Sequence, residues 1–320
     1  MTPQVSVLIP LYKPNPAHLT ETLDRLIGQT ERDFECIICE EPTDVDISGT
    51  LAKYLNDPRF THYRNEKCLG IGGNWNRCFS YATAPVIAYL FQDDLWDRDY
   101  LEAALKIFQA HPSVGFISMN HRYQYDEDLW TVEGYETLQK TKDEVLREGF
   151  WKGHEFLKLW LRRELHPNLI GEPPFVVLRK KVLEDVGPFH TSMPQFLDVE
   201  YWLRCLLKTD WYYEKNMHGA FRVHGNAASF RNNESGEGIY DRLECFEMLI
   251  RTAPADLKKI AIQSRNRAIE SMAKKFLIRL KKRQTVATKG GGQVINFALR
   301  HPFLIGTAMG KVLWRRLRNA

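Results

Sequence analysis

Long apolar runs are missing from this chain of 320 residues. A membrane-spanning helix needs roughly 20 consecutive apolar residues, and the apolar stretch at 294–314 is broken by Arg300, His301, Pro302 and Lys311. A full span is not expected there, and the sequence shows no bundle of membrane helices. Cysteine is scarce and scattered (Cys36, Cys39, Cys68, Cys78, Cys205, Cys245), with none of the spacing of a disulfide framework. The opening MTPQVSVLIP has neither a charged leader nor the apolar run of a signal peptide, so a cytoplasmic location is expected. Cys36 and Cys39 form a CxxC inside an apolar run that reads as a strand. Residues three apart there point to opposite faces and cannot share a metal, so buried thiols are expected. Gly70–Asn76 is glycine-rich, but Trp75 interrupts it and no Gly-Lys-Ser/Thr follows, which rules out a Walker loop and a dinucleotide fingerprint. Internal repeats and low-complexity tracts are also lacking.

What is present is the composition of a folded protein, with 44% apolar and 26% charged residues. The net charge of +4 conceals an asymmetry. Residues 257–320 hold 16 of the 44 Lys/Arg and a single acid, Glu270, which leaves 28 Lys/Arg against 39 acids in residues 1–256. An acidic front at −11 and a basic tail at +15 should meet different partners.

Val5–Ile9 is a β-branched apolar run closed by Pro10, followed by a helical pattern on Leu19, Leu23, Leu26 and Ile27. Phe34–Cys39 reads as a second strand running into Glu40, Glu41 and the breaker Pro42, and Val86–Phe91 as another running into Asp93 and Asp94. Between them lie a helix at Leu51–Leu55, a strand at Phe60–Tyr63 and a glycine turn at Gly70–Gly73 that opens a helix. Further on come a helix at Asp99–Ala110, strands at Val114–Ser118 and Phe175–Leu178, and helices at His154–Arg163, Arg179–Val186 and Leu197–Lys208. The polar, aromatic stretch up to Gly153 has no clear period, and beyond Gly219 the pattern becomes mainly helical, with a hinge at Gly290–Gly292. Strands alternating with helices predict a parallel sheet, whose ligands collect beyond the C-terminal strand ends. Both acidic clusters fall on that edge.

Adjacent carboxylates after a buried strand repel one another unless a cation neutralises them. Asp93 and Asp94 therefore suit Mg²⁺ or Mn²⁺, which bind through one or two carboxylates plus the oxygens of a diphosphate; an Asp-Asp turn capping the next helix is the plainer alternative. Glu40 and Glu41 could accept hydrogen bonds from a ribose or base, or be solvated loop residues. Asn74 and Asn76 offer amides near the glycine turn. Asp198, near a helix start, is either an N-cap or a general base for an acceptor hydroxyl, with Glu200 as its nearest competitor. His224 is either structural, a third metal ligand or a diphosphate contact.

Five segments in order, VSVLIPLYK, LIGQTERDFECIICEEPTD, NEKCLGIGGNWNRC, YLFQDDLWDRDYL and FLDVEYWLR with FRVHG, resemble the family-2 glycosyltransferases of GT-A fold that build bacterial surface polysaccharides, over roughly residues 4–230. The resemblance implies a Rossmann-like mixed α/β sheet flanked by helices in a catalytic domain at 1–230, with a basic, mainly helical extension at 231–320. It implies that Pro10, Tyr12 and Glu41 contact the donor base, that Asn76, Asp93 and His224 serve donor binding, that Asp94 holds the metal, and that Asp198 is the base of an inverting transfer. The family's Asp-Asp-Gly-Ser is replaced by Glu40-Glu41-Pro42-Thr43, a common Arg by Trp75, and the Glu before the base by Leu197. Gln-x-x-Arg-Trp, carried by the processive synthases, is absent, which favours single-sugar transfer.

The implied partners are a nucleotide-diphospho-sugar donor and a glycan or lipid-linked glycan acceptor. The basic tail, with Phe303, Leu304 and Trp314 among its Lys/Arg, suits peripheral contact with an anionic membrane, or a charged helical cap. Rival readings are a sugar-phosphate nucleotidyltransferase, whose glycine-rich basic first loop is not found at Leu11–Pro16, and an inactive donor-binding relative. Nucleic acid is not an expected partner, because the front of the chain is acidic.

Overall fold

The computed structural model describes residues 2–125, 132–193, 195–225, 238–281, 299 and 301–318. The Gly290–Gly292 hinge, Phe297 and Arg300 lie outside the described residues. Contacts divide the chain into two units: 1–156 with 168–192 and 197–224, and 157–167 with 193–196 and 225–320.

The first unit is built on strand β1 (Val5–Leu11), helix α1 (Pro16–Ile27), β2 (Phe34–Glu40), α2 (Ser48–Ala52), β3 (Phe60–Arg64), α3 (Gly70–Tyr81) and β4 (Val86–Tyr89). Then come β5 (Leu95–Trp96), α4 (Tyr100–Ala110), β6 (Val114–Tyr125), α5 (Val132–Val145), β7 (Gly149–Trp151), α6 (Gly153–Arg162, whose residues 157–162 belong to the second unit), β8 (Val176–Arg179), α7 (Lys180–Val186), α8 (Leu197–Leu206) and β9 (Asp210–Val223). The sheet order is β3-β2-β1-β4-β8-β6-β9-β5, with β7 paired to β9.

The start of α1 shows how local sequence sets an element. Asn15 caps it by accepting from the Ala17 N–H at 2.9 Å, and Pro16 takes the first helical position, where no N–H is required. Leu19, Leu23 and Leu26 are fully buried on one face, each stabilising the fold by about 1.5–3 kcal/mol. On the same helix Thr22 donates to the Asp94 carbonyl at 3.0 Å. Buried Gln29, just beyond, donates to the Asp97 carbonyl at 2.8 Å and accepts from the Leu101 N–H at 3.1 Å. The helix thus fixes the segment that carries the acidic pair.

The first four strands are parallel, as the alternation predicts. The rest of the sheet is mixed: β8 runs antiparallel to β4 and β6, and β5 and β7 run antiparallel to β9. An apolar run such as Val176–Leu178 carries no information on strand direction, so the parallel reading was right only for the first half. Two strands are longer than their pattern suggests. β6 continues through Tyr125 instead of ending at Ser118, and β9 occupies Asp210–Val223, where only Ala220-Phe221 reads as strand-like. The β6–β9 pairing shifts register at Met119/Asn120 and Asn120/Arg122, which breaks the two-residue period a strand would show. Helix α5 and strand β7 fill most of the stretch that has no period. Cys36 joins the apolar core, while Cys39 lies against Cys78, as expected for opposite faces of one strand.

The second unit contains helices Gly238–Thr252, Ala255–Lys281 and Pro302–Arg318. Ala308 and Val312 of the last are buried, and Lys311 reaches Glu270 at 3.3 Å. Phe303 and Trp314 are exposed. Among the described residues no helix is long and apolar enough to cross a membrane.

Candidate active site

The C-terminal ends of β1, β2 and β4 bring the sequence-predicted acids onto one edge. After β1, the Tyr12 N–H donates to the Gln92 amide oxygen at 2.9 Å and the Gln92 amide returns a bond to the Tyr12 carbonyl at 3.1 Å. Gln92, the non-acidic first residue of Gln-Asp-Asp, therefore latches the first loop to the acidic turn, leaving the Tyr12 ring 45% exposed.

Glu40 and Glu41 diverge, as neighbours at a strand end must. Glu40 faces His62 at 3.0 Å and lines a pocket of about 360 Å³ with Arg64 and residues of α2. Buried Glu41 accepts from the Leu69 N–H at 2.9 Å, just before α3. Asn74 donates to the Cys39 carbonyl at 3.0 Å, and Asn76 exchanges two bonds with the Phe189 backbone, at 2.8 and 2.9 Å. The polar atoms of Glu41, Asn74 and Asn76 are thus engaged with backbone around the glycine turn. None of the predicted donor residues lines the pocket beside Glu40.

Asp93 and Asp94 have different surroundings. Asp93 meets His224 at 2.8 Å, and its carbonyl accepts from the Arg222 Nε–H at 3.0 Å. Asp94 is 1% exposed; one carboxylate oxygen accepts from the Arg222 N–H at 3.0 Å, and the other is buried with no hydrogen-bond partner among the described residues. Burial, and then the neighbouring charge of Asp93, push the Asp94 carboxyl well above the usual range. The Arg-x-His of β9 closes directly on this turn, with the Arg222 guanidinium also bound to Glu21 at 2.7 Å.

An orphaned, buried carboxylate oxygen is a fit for a hard cation shared with a diphosphate. Among the described residues no three His, Cys, Asp or Glu side chains are arranged to hold a metal unaided. An ion completed by diphosphate oxygens does not need such a set.

Asp198, at the start of α8, accepts from the Val199 N–H and from the Asn168 amide, both at 2.8 Å. Burial, helped by the charge of Glu172 and opposed by these bonds, raises its carboxyl to about 7. Glu200, the competing base, is instead in a two-pronged pair with Arg204 at 2.8 Å and is buried there.

Sequence reasoning missed a buried charge cluster beside Asp198. Lys142 of α5 is 1% exposed and His121 of β6 is fully buried, and His121 faces Glu172 at 3.2 Å. Burial alone would raise Glu172, but the Lys142 ammonium and the His121 ring hold its carboxyl down at about 2. Burial also lowers Lys142 and His121. Gly171 has φ +114°, and a Cβ there would stand 3.3 Å from the Lys142 ammonium. Lys142 sits in the polar, aromatic stretch that shows no clear period, so no sequence signal marked it; Glu172 before Pro173-Pro174 was the one available hint.

The model of the family described as glycosyl transferase family 2 matches residues 6–187. The chain belongs to that family. An uncharacterized protein of Mycobacterium tuberculosis is 30% identical over 65% of this chain and 63% of its own length. The Escherichia coli glucosyltransferase WfgD, named as using UDP-Glc and an α-D-GlcNAc-diphosphoundecaprenol acceptor, is 26% identical over 37% of this chain and 45% of its own. The chain therefore spans less than two thirds of the length of both. Among solved structures, S. aureus TarS 1–349 in complex with UDP-GlcNAc matches with TM-score 0.60 and 14% identity, covering 98% of this chain and 80% of that one. The mannosyltransferase PcManGT of Pyrobaculum calidifontis, in complex with GDP-Man and Mn²⁺, matches with TM-score 0.57 and 16% identity, covering 98% and 88%. These likenesses show the fold, which is GT-A.

Proposed function

We propose that this protein is an inverting glycosyltransferase that moves one sugar from a nucleotide diphosphate donor to an acceptor hydroxyl. The observation that carries the reading is the buried, unpartnered oxygen of Asp94 at the C-terminal edge of a GT-A sheet. Asp94 would hold a Mg²⁺ or Mn²⁺ together with the donor diphosphate, and the ion would supply neutralisation of charge on the leaving group. Asp93 and His224 lie beside that group, and Pro10 and Tyr12 offer surface to the base. Glu41 and Asn76 act from behind, holding the backbone around the glycine turn. Asp198 takes the proton of the acceptor hydroxyl as its oxygen attacks the anomeric carbon, and the bond to the diphosphate breaks on the opposite face. A carboxyl near 7 is suited to both taking and releasing that proton.

The acceptor in this reading is a cell-surface glycan on a lipid carrier, reached from the cytoplasmic side. The E. coli relative's diphosphoundecaprenol acceptor supports it, as do Phe303 and Trp314, exposed on a helix rich in Lys/Arg. Removing residues 290–320 should move the protein from the membrane to the soluble fraction; unchanged partitioning would remove the membrane contact.

The central test is binding and hydrolysis of a panel of UDP- and GDP-sugars with and without Mn²⁺, in wild type and Asp94→Ala. Metal-dependent binding in the wild type, lost in the variant, is the expected result. Failure of every nucleotide sugar to bind, with or without Mn²⁺, overturns the proposal.

A further inference from the structure

The segment Asn168–Phe175 joins the two halves of the site. At one end Asn168 donates to the Asp198 carboxylate at 2.8 Å, and the Gly171 carbonyl accepts from the indole N–H of Trp202, one turn along the helix from Asp198, at 3.0 Å. At the other end the Pro174 carbonyl accepts from the Trp96 indole at 2.7 Å and the Tyr100 hydroxyl at 3.0 Å, just beyond the acidic pair. Glu172 stands between these anchors. Its side chain is 17% exposed, and its Oε2 faces His121 at 3.2 Å. The Ser118 hydroxyl, from the same strand as His121, donates to the Ile170 carbonyl. Gly171 leaves room for the Lys142 ammonium and the His121 ring, so that both reach the segment.

If the reading above holds, the transferred sugar must lie between its diphosphate, at Asp94, and the attacking hydroxyl, at Asp198. We propose that Glu172, paired with His121 and next to the Gly171 on which the Lys142 ammonium rests, accepts a hydrogen bond from a hydroxyl of that donor sugar and so selects it. A carboxylate accepts only, so it prefers a ring that places a hydroxyl, not an ether or an alkyl group, at this point. The pairing fits the task, because a carboxylate held against a buried imidazole is oriented before the sugar arrives. This inference rests on the transferase reading, and the test separates the two.

The experiment measures dissociation constants with Mn²⁺ for UDP-glucose, UDP-N-acetylglucosamine and GDP-mannose, and for UDP and GDP alone, in wild type and Glu172→Gln. Wild-type binding of a nucleotide sugar is the condition of the transferase reading; its absence overturns that reading and the present one together. Given binding, Glu172→Gln should weaken the sugar nucleotide roughly 10- to 100-fold, as expected for a hydrogen bond to a charged acceptor, with the nucleoside diphosphate unchanged. Equal losses for both ligands, or no loss for either, would overturn the assignment. Should Glu172→Gln fail to fold, deoxy analogues of the bound donor report on the wild type. One should bind roughly tenfold or more weakly, and equal binding of every deoxy analogue with the parent excludes a selecting acceptor.

Discussion

The two carboxylates on which the proposed site rests, Asp94 and Asp198, have opposite surroundings. Asp94 belongs to a turn that follows the parallel half of the sheet and is fixed by bonds between side chain and backbone. These run from Thr22 of α1 to the Asp94 carbonyl, from the Arg222 N–H of β9 to the Asp94 carboxylate and from Gln92 to the Tyr12 carbonyl, and one oxygen of the Asp94 carboxylate has no partner among the described residues. Asp198 has both oxygens engaged, and its segment hangs on a side-chain cluster in the mixed half, with Lys142, Glu172 and His121 at its centre. In the proposed reading the first arrangement suits a hard cation. The second tunes a proton affinity and orients a loop. A turn held by separate side-chain-to-backbone bonds loses one bond at a time, whereas a buried charge cluster fails as a unit when one member is removed.

The sharpest contrast should come from Asp198→Asn. Turnover is expected to fall by about 10²–10⁴, while donor affinity stays within about threefold of wild type because the donor is held on the Asp94 side; titration calorimetry beside steady-state rates would show the split. In the wild type, kcat/KM should fall as pH drops below about 7, where Asp198 takes up its proton. Asn168→Ala should move that limb to higher pH, since its amide stabilises the charged form. The stability effect has the opposite sense to activity. Asp198 binds its proton more tightly folded than unfolded, so its contribution is complete below the ordinary value of 3.8 and is lost as pH rises through about 7. Asp198→Asn should accordingly be more stable than wild type at pH 8, by about 1 kcal/mol given the partial exposure of the group.

Lys142→Met tests the charge cluster. With Glu172 left without its cation, unfolding free energy should drop by about 3 kcal/mol in urea titrations, and a loss below about 1 kcal/mol would mean the cluster is more solvated than its burial indicates. Gly171→Ala should cost about 1–3 kcal/mol, from the left-handed φ and the crowding of the Lys142 ammonium. Smallest is Gln92→Ala, which removes two partly exposed bonds to the Tyr12 backbone. Stability should fall by about 1 kcal/mol and donor nucleotide affinity by about threefold; a tenfold or greater loss would make the latch as important to donor binding as Asp94.

Much of the Asp94 side was legible in the sequence because it is local. An apolar run, a breaker and an acid within a few residues are enough to place Glu41, Asp93 and Asp94 at strand ends, and the Arg-x-His of Arg222 and His224 was recognisable as a motif. The individual bonds were not legible. Glu40 and Glu41 read as one cluster yet point apart, and the amide of Asn76 looked available for a ligand yet binds the Phe189 backbone. On the Asp198 side the helix and its carboxylate were visible, and its tuning was not.

The sequence by itself determined the class of fold, the order of the first four strands' elements, and which acids stand at the sheet edge. These follow from periodicities and breakers that act over a few residues. Only tertiary structure decided the direction of β8, the full length of β9 and the meeting of Lys142, His121 and Glu172. Those three come from a helix, a strand and a loop up to 51 positions apart in the numbering, and their charges matter only because folding removes the water between them. A lysine in a polar helix carries no local mark of whether it will face solvent or a buried carboxylate. That difference is made by packing, which no short window of sequence contains.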